Sequence, residues 1–199
     1  MFSKKSEKKK YFYFISHIFF LEMTEKIIIA GSGGQGIMLM GKVLAAAVML
    51  EDKNVTWLPA YGAEVRGGTA NCMVVISDEP IGSPFIDRAD SLIIMNEPSL
   101  VRFQPRLKDK GFMLVNSSLA KAGTDIKGVI AKQPFSDIAI GLGNIKAANI
   151  VALGYFAAKT KVVGIKSLTQ VILEMTPKDK KELGVLNLAA LSSGAKLAE

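Results

Sequence analysis

The stretch Ile27-Ile28-Ile29-Ala30-Gly31-Ser32-Gly33-Gly34-Gln35-Gly36-Ile37 constrains the fold more than any other part of the chain. Its first four residues are a short, unbroken apolar run, three of them β-branched. That pattern lacks the alternation of a half-exposed strand and reads as a strand covered on both faces. A strand buried above and below needs packing layers on each side, which points to an α/β architecture. The glycines then break the run, and QGIMLMGKVLAAAVML (35–50) resumes with a helical pattern that is apolar nearly all round, the mark of a buried helix. Strand, glycine turn and helix in that order present backbone N–H groups and the positive end of a helix dipole to whatever lies above the turn.

The rest of the chain repeats the alternation. NVTWLPAY (54–61) reads as a second strand ended by Pro59, closing a βαβ unit, and TANCMVVISD (69–78) as a long strand followed at once by the turn residues EPIGSP. SLIIMN (91–96) and GFMLVNSS (111–118) are further strands, and DIKGVIAKQP (125–134) holds an edge strand before Pro134. EPSLVRFQPRLK gives a short helix with Pro98 near its start and an interruption at Pro105. Helices follow over 144–160, with Asn144 as N-cap, over 165–176, and from Pro177 to the end. The expected fold is a three-layer α/β domain over residues 23–199: an open, mostly parallel sheet with helices on both faces and an antiparallel hairpin at the long third strand.

Residues 1–22 stand apart, carrying +3 of the net charge of +7. The apolar stretch Tyr11–Leu21 imitates a secretion signal, but Ser16 and His17 interrupt it, no small-x-small cleavage site follows, and it is shorter than the roughly 20 residues of a membrane span. Met23 precedes the first strand directly, so the expected start is Met23, with 1–22 an extension outside the fold. The single cysteine, Cys72, fits a reducing cytoplasm, and His17 is the sole histidine. The body therefore has no material for a Ser-His-Asp triad, a Cys-His dyad or a His-ligated metal, and an iron–sulfur cluster needs about four thiolates. No catalytic residue and no metal-ligand set is assigned. No basic cluster interleaved with aromatics points to nucleic acid, and no segment points to a membrane.

Gly31, Gly33 and Gly36 satisfy G-x-G-x-x-G, Gly34 adds freedom to the turn, and Gln35 offers an amide toward a ligand. A pyridine-dinucleotide site needs an acid at the end of the second strand, where this chain has Leu58-Pro59-Ala60-Tyr61; Glu51 and Asp52 come before that strand, at the wrong edge. No G-K-[ST] follows either. Two readings stay open: glycines that serve only a tight turn and close packing, or an anion or partner site. YGAEVRGGTANC (61–72) falls at the same carboxyl edge and places Tyr61, Glu64 and Arg66 beside the turn. Turn glycines and a solvated ion pair would also account for it.

GSGGQGI…GKVLA together with PAYGAEVRGGTANCMVVISDEPIGSP closely resembles the gamma subunit of the 2-oxoacid:ferredoxin oxidoreductases, nearer the 2-oxoglutarate or 2-oxoisovalerate branch than the pyruvate branch. The resemblance runs from about Met23 to the C-terminus. It implies a multi-subunit enzyme that converts a 2-oxoacid, coenzyme A and oxidised ferredoxin into an acyl-CoA, carbon dioxide and reduced ferredoxin. It implies alpha and beta subunits holding thiamine diphosphate and magnesium, iron–sulfur clusters in beta or in a ferredoxin-like delta subunit, and an isolated gamma chain that is inactive. On this chain it implies an anion-facing turn, Gly31, Ser32, Gly33, Gly34, Gln35 and Gly36, directed at a coenzyme A phosphate or a partner's carboxylate. It makes Tyr61, Glu64 and Arg66 the contact loop, with Arg66 suited to a bidentate anion contact. Asn116 lines the same edge or merely caps a turn, and Cys72 is a small buried residue. The alternatives are a stand-alone nucleotide-binding reductase and a coenzyme A-binding module acting alone.

Overall fold

Ile27, Ile28, Ile29 and Ala30 are completely buried. The strand that holds them, β1 (Thr24–Ser32), is the third of six in a sheet ordered β2-β3-β1-β4-β5-β6. The computed structural model describes residues 23–61, 68–121 and 128–199. The other strands are β2 (Asn54–Tyr61), β3 (Thr69–Ser77), β4 (Ala89–Ile94), β5 (Leu107–Asn116) and β6 (Val129–Gln133). β1, β4, β5 and β6 run parallel. β3 alone runs against its neighbours, pairing antiparallel with β1 on one side and β2 on the other.

The antiparallel element is therefore present at the third strand, but its hairpin mate is the preceding strand rather than one following EPIGSP. The first βαβ unit is also stretched: the chain leaves β1, crosses through α1 (Ile37–Met49), lays down β2 one place further out, and returns along β3 between the two. Pro59 does not end β2. It pairs in register with Cys72 and the strand continues to Tyr61, which an edge strand tolerates because one side of its backbone has no partner to lose.

The period-2 alternation of β1 feeds two cores. Ile27 and Ile29 face α1, α4 (Ala148–Thr160), α5 (Ile165–Met175) and α6 (Lys181–Lys196). Ile28 and Ala30 face the thinner layer made by α2 (Glu97–Phe103) and the loop that carries Ile86. Helices do lie on both faces, but among the described residues five, α3 (Phe135–Gly141) included, cover one and a single short one covers the other.

Helix boundaries depart from the sequence reading in three places. α3 (Phe135–Gly141) was not anticipated, because seven residues after a proline carry less than two turns of periodic signal. Asn144 caps a 3-10 turn, Ile145–Ala147, accepting from Lys146 N at 3.0 Å, and α4 proper begins after it. α6 begins at Lys181 rather than at Pro177. α5 has no side-chain cap within its own first turn; Glu51 supplies one, its Oε1 accepting from Gly164 N at 2.7 Å and Ser167 Oγ at 2.6 Å.

α4 and α6 approach backbone to backbone through two glycines. A Cβ on Gly194 would lie 1.9 Å from Val151 O, and one on Gly154 would lie 2.2 Å from Leu191 O. Neither neighbour can swing aside, since both are main-chain atoms of a packed helix. At the amino end of the parallel strands, Ser91 Oγ donates to Glu25 Oε1 at 2.6 Å, beside the Asp90–Lys108 pair at 2.6 Å. Burial pushes the Glu25 carboxyl above its ordinary pKa; the Ser91 hydrogen bond opposes this, Asp90 adds to it and Lys108 opposes it.

Two outcomes follow for stability. Gly194→Val should destabilise by about 3 kcal/mol or more in urea unfolding, as overpacking against backbone does, while Gly82→Ala, with open space around it, should stay within about 0.5 kcal/mol. For Glu25, a raised folded-state pKa means that its contribution is fully present below the unfolded value of 4.5 and is lost as pH climbs through the higher folded value. Glu25→Gln keeps an acceptor for Ser91 and should be more stable than the parent at pH 7. The difference should shrink as pH falls toward 4; a gap that widens on acidification contradicts the assignment.

Candidate functional site at the glycine turn

The turn after β1 is held in shape by its own glycines. Gly34 and Gly36 have φ of +93° and +70°, the left-handed region that side chains with a Cβ rarely adopt. A Cβ on Gly36 would also meet the Asn149 side chain, whose Nδ2 donates to Gly36 O at 3.1 Å. Gly31 needs its bareness for a different reason: a Cβ there would lie 2.6 Å from Gln35 Oε1 and 2.7 Å from Ile37 Cδ1. Gly36 stands as N-cap of α1 with no side-chain cap, and the first turn of α1 holds no acid. The N-terminal amides of a buried, apolar helix are thus left facing the rim, with the positive end of its dipole uncompensated by a cap or a first-turn acid of the helix itself.

Gln35 does not reach up toward a ligand, as its sequence position suggested. Its Oε1 accepts from Ser32 N at 2.7 Å and its Nε2 donates to Met95 O at 3.1 Å, so the amide closes its own turn and ties it to the end of β4. Asn96, next along, donates through Nδ2 to Ser32 Oγ and accepts from Ser99 N at 3.1 Å as the cap of α2. Asn116 is fully buried. It donates to Ser136 Oγ at 2.8 Å and accepts from Ser136 N at 3.3 Å, while its backbone carbonyl receives the N–H groups of Leu119 and Ala120. Of the two roles open to it from sequence, the turn-holding one describes its contacts. Side-chain amides thus build this rim and leave backbone amides to face outward.

The second glycine loop meets the first. Gly33 N donates to Gly68 O at 3.0 Å, and Ser32 pairs with Thr69 where β3 begins. Tyr61, at the end of β2, is 73% exposed at this edge. Glu64 and Arg66 lie outside the described residues. Arg102, not singled out from sequence, reaches the same edge from α2, its Nη1 donating to Thr69 Oγ1 at 3.2 Å. On the other flank, a pocket of about 130 Å³ is lined by Gln35, Met95, Leu119, Ser136, Ile145 and Lys146, among others. Asn96 was legible in principle, since Asn before Glu-Pro is a helix-start signature. Asn149 and Lys146 carry no such signal, because only the docking of α4 brings them here.

Among the described residues the rim presents hydroxyls, amides, Tyr61, Arg102 and Lys146. Cys72 is sealed beneath α1, where burial pushes its thiol up to about 12 and its Sγ donates to Ile37 O at 3.7 Å. A Cβ on Gly41 would lie 2.4 Å from its Sγ, so the thiol fills a packing gap, as a small buried residue does. Among the described residues no three His, Cys, Asp or Glu side chains converge as a metal site. The end of β2 lies two strands from β1, roughly 9–10 Å away, and Glu51 is committed to α5 at the opposite edge. No helix among the described residues is long and apolar enough to cross a membrane.

Comparison with known proteins places this architecture. The family model described as pyruvate ferredoxin/flavodoxin oxidoreductase matches residues 26–197. The ketoisovalerate oxidoreductase subunit VorA of Methanothermobacter thermautotrophicus is 38% identical over 178 residues, covering 87% of this chain but only 36% of VorA. The chain thus spans about a third of that relative's length. The 2-oxoglutarate synthase subunit KorC of Methanocaldococcus jannaschii is 33% identical over 183 residues, covering 90% of this chain and 96% of KorC. The crystal structure of a keto/oxoacid ferredoxin oxidoreductase gamma subunit from Geobacter sulfurreducens superposes with a TM-score of 0.76 at 28% identity, over 87% of this chain and 98% of that one. With the family model matched over nearly all of the described sheet and helices, the chain belongs to the pyruvate ferredoxin/flavodoxin oxidoreductase family.

Proposed function

We propose that this chain is the gamma-type subunit of a cytoplasmic 2-oxoacid:ferredoxin oxidoreductase, with 2-oxoglutarate the favoured substrate. The complex would carry out coenzyme A-dependent oxidative decarboxylation to an acyl-CoA and carbon dioxide, passing electrons to ferredoxin. The observation that carries this reading is the KorC match, which is end to end: a protein of this size, named as one subunit of a 2-oxoglutarate synthase, covers nearly the whole chain. The stronger identity to VorA keeps 2-oxoisovalerate as the second substrate to assay. Residues 23–199 act as one domain in this reading, and residues 1–22 take no part in it.

The division of labour follows from what the rim lacks. Thiamine diphosphate, held with magnesium by the alpha and beta subunits, supplies the carbanion stabilisation that decarboxylation requires, and clusters in beta or delta carry the electrons. This chain contributes binding and positioning. The uncapped N-terminus of α1 offers amides to an anion, Arg102 and Lys146 flank it with positive charge, and the first turn of α1 has no acid to repel it. That charge pattern fits the phosphates of coenzyme A. The 130 Å³ pocket is well below the roughly 300 Å³ at which ligand sites begin, so a whole cofactor would lie across the rim rather than inside it. Arg66, two residues before Gly68 in the sequence, would add a bidentate contact.

Co-expression with the companion subunits, followed by assay with 2-oxoglutarate, 2-oxoisovalerate and pyruvate, tests the assignment. Turnover should appear only in the assembled complex. An isolated chain that turns over a 2-oxoacid sinks the reading. So does one stabilised by a pyridine nucleotide by about 2.7 kcal/mol at a hundredfold excess over Kd. Within the complex, Arg66→Ala should lower coenzyme A-dependent turnover by about tenfold or more, the worth of one charge-assisted hydrogen bond. Disassembly instead would make Arg66 an interface residue, and no change in either property removes it from the site.

A further inference from the structure

Gly31, Gly33, Gly34 and Gly36 give the turn an adaptable backbone, because a glycine gives up more conformational freedom on being fixed than any other residue. A turn of that composition, left unsupported, would have to be ordered by its ligand, and the ordering would weaken binding. Two side chains remove that need by gripping the turn from β4 and from α4.

Gln35 forms the first tie. Its Oε1 accepts from Ser32 N at 2.7 Å and its Nε2 donates to Met95 O at 3.1 Å. The far end is itself anchored: Met95 is buried, its N–H donates to Ala30 O at 2.8 Å, and its carbonyl takes a second bond from Asn116 Nδ2 at 3.4 Å. Asn149, 2% exposed on α4, forms the second tie. Its Nδ2 donates to Gly36 O at 3.1 Å, and its Oδ1 accepts from Ile150 N at 2.9 Å on its own helix. Gly36 O is the acceptor that begins α1, since it also receives Met40 N at 2.9 Å. Both amides thus have donor and acceptor engaged, and both grip the two residues, Gln35 and Gly36, from which α1 departs. A methionine or leucine in either place offers no N–H and no carbonyl, so it would leave those backbone groups untied.

We infer that Gln35 and Asn149 are positioning residues for the coenzyme A anion: acting through the backbone of Gln35 and Gly36, they hold the amides at the head of α1 where a phosphate is received, and so set coenzyme A affinity without touching the ligand. The inference rests on the reading above that this rim receives coenzyme A. Donors that must converge on one group are sensitive to small errors, a misplacement of about 1 Å being able to cost on the order of a hundredfold. Losing one of two ties should cost less, about tenfold.

The test uses the assembled complex with the full-length chain. Gln35→Met and Asn149→Ala should each raise KM for coenzyme A about tenfold, leaving kcat at saturating coenzyme A and KM for the 2-oxoacid within about twofold of the parent. Gln170→Met, which removes an exposed glutamine bonded to Glu174 on α5, should match the parent. Asn149→Ala places a strong helix former in α4 and carries the test if Gln35→Met fails to fold on urea titration. A fall in kcat with KM for coenzyme A unchanged makes the two amides structural and overturns the inference. Arg102→Ala and Lys146→Ala probe the rim reading separately. If either raises KM for coenzyme A while the two amide variants do not, the rim binds the anion and the positioning role alone is wrong. If none of the four moves it, the rim reading fails and this inference with it. A parent complex that turns over no 2-oxoacid ends both.

Discussion

Everything in this molecule hangs on a strand whose centre, Ile27 to Ala30, has no exposed surface. β1 is hydrogen-bonded on both sides, to β3 in one direction of chain and to β4 in the other, and its alternate side chains enter two different cores. A strand so placed cannot slip by one residue without moving Ile27 and Ile29 into the thin layer and Ile28 into the thick one. Its last residues are equally constrained, since Ala30 O receives Met95 N and Gly31 has no room for a side chain. The glycine turn therefore emerges at a fixed point and in a fixed direction, and α1, β3 and β4 all take their positions from it.

The rim above that point separates building groups from exposed ones. Gln35, Asn96, Asn116 and Asn149 spend their amides on backbone and hydroxyl partners within the protein. In a poorly solvated setting such bonds must be complete, because a half-satisfied buried amide costs more than an apolar residue in its place. Once they are complete, the turn has little freedom, and the amides at the head of α1 remain the polar groups turned outward. A rigid backbone surface with flanking cations suits binding, and Cys72 is locked away as packing.

Much of this could be read from residues alone. The strand, glycine turn and buried helix followed from composition and period, and the absence of an acid after β2 already weakened the dinucleotide reading. The paired glycine loops carried the family resemblance. What escaped had short or nonlocal causes. α3 is too brief to show a period. Pro59 looked like a strand end because nothing local marks β2 as an edge. Gln35 looked like a ligand-facing amide because its acceptor, Met95 O, is sixty residues away.

The amino-acid order by itself determined which segments were apolar enough to be buried, where the backbone had to turn, and which chemistries were impossible for want of histidine and thiols. Those are properties of side-chain hydrophobicity, backbone sterics and residue inventory, and they need no partners in space. The tertiary structure alone decided that β3 runs between β1 and β2, that Asn149 and Lys146 reach the glycine turn, that Glu51 caps a helix begun at Gly164, and that Leu119 and Ile145 share one pocket. Each of these depends on contacts between residues far apart in the chain, whose pairing is set by how two cores close around one sheet and leaves no mark in any local pattern.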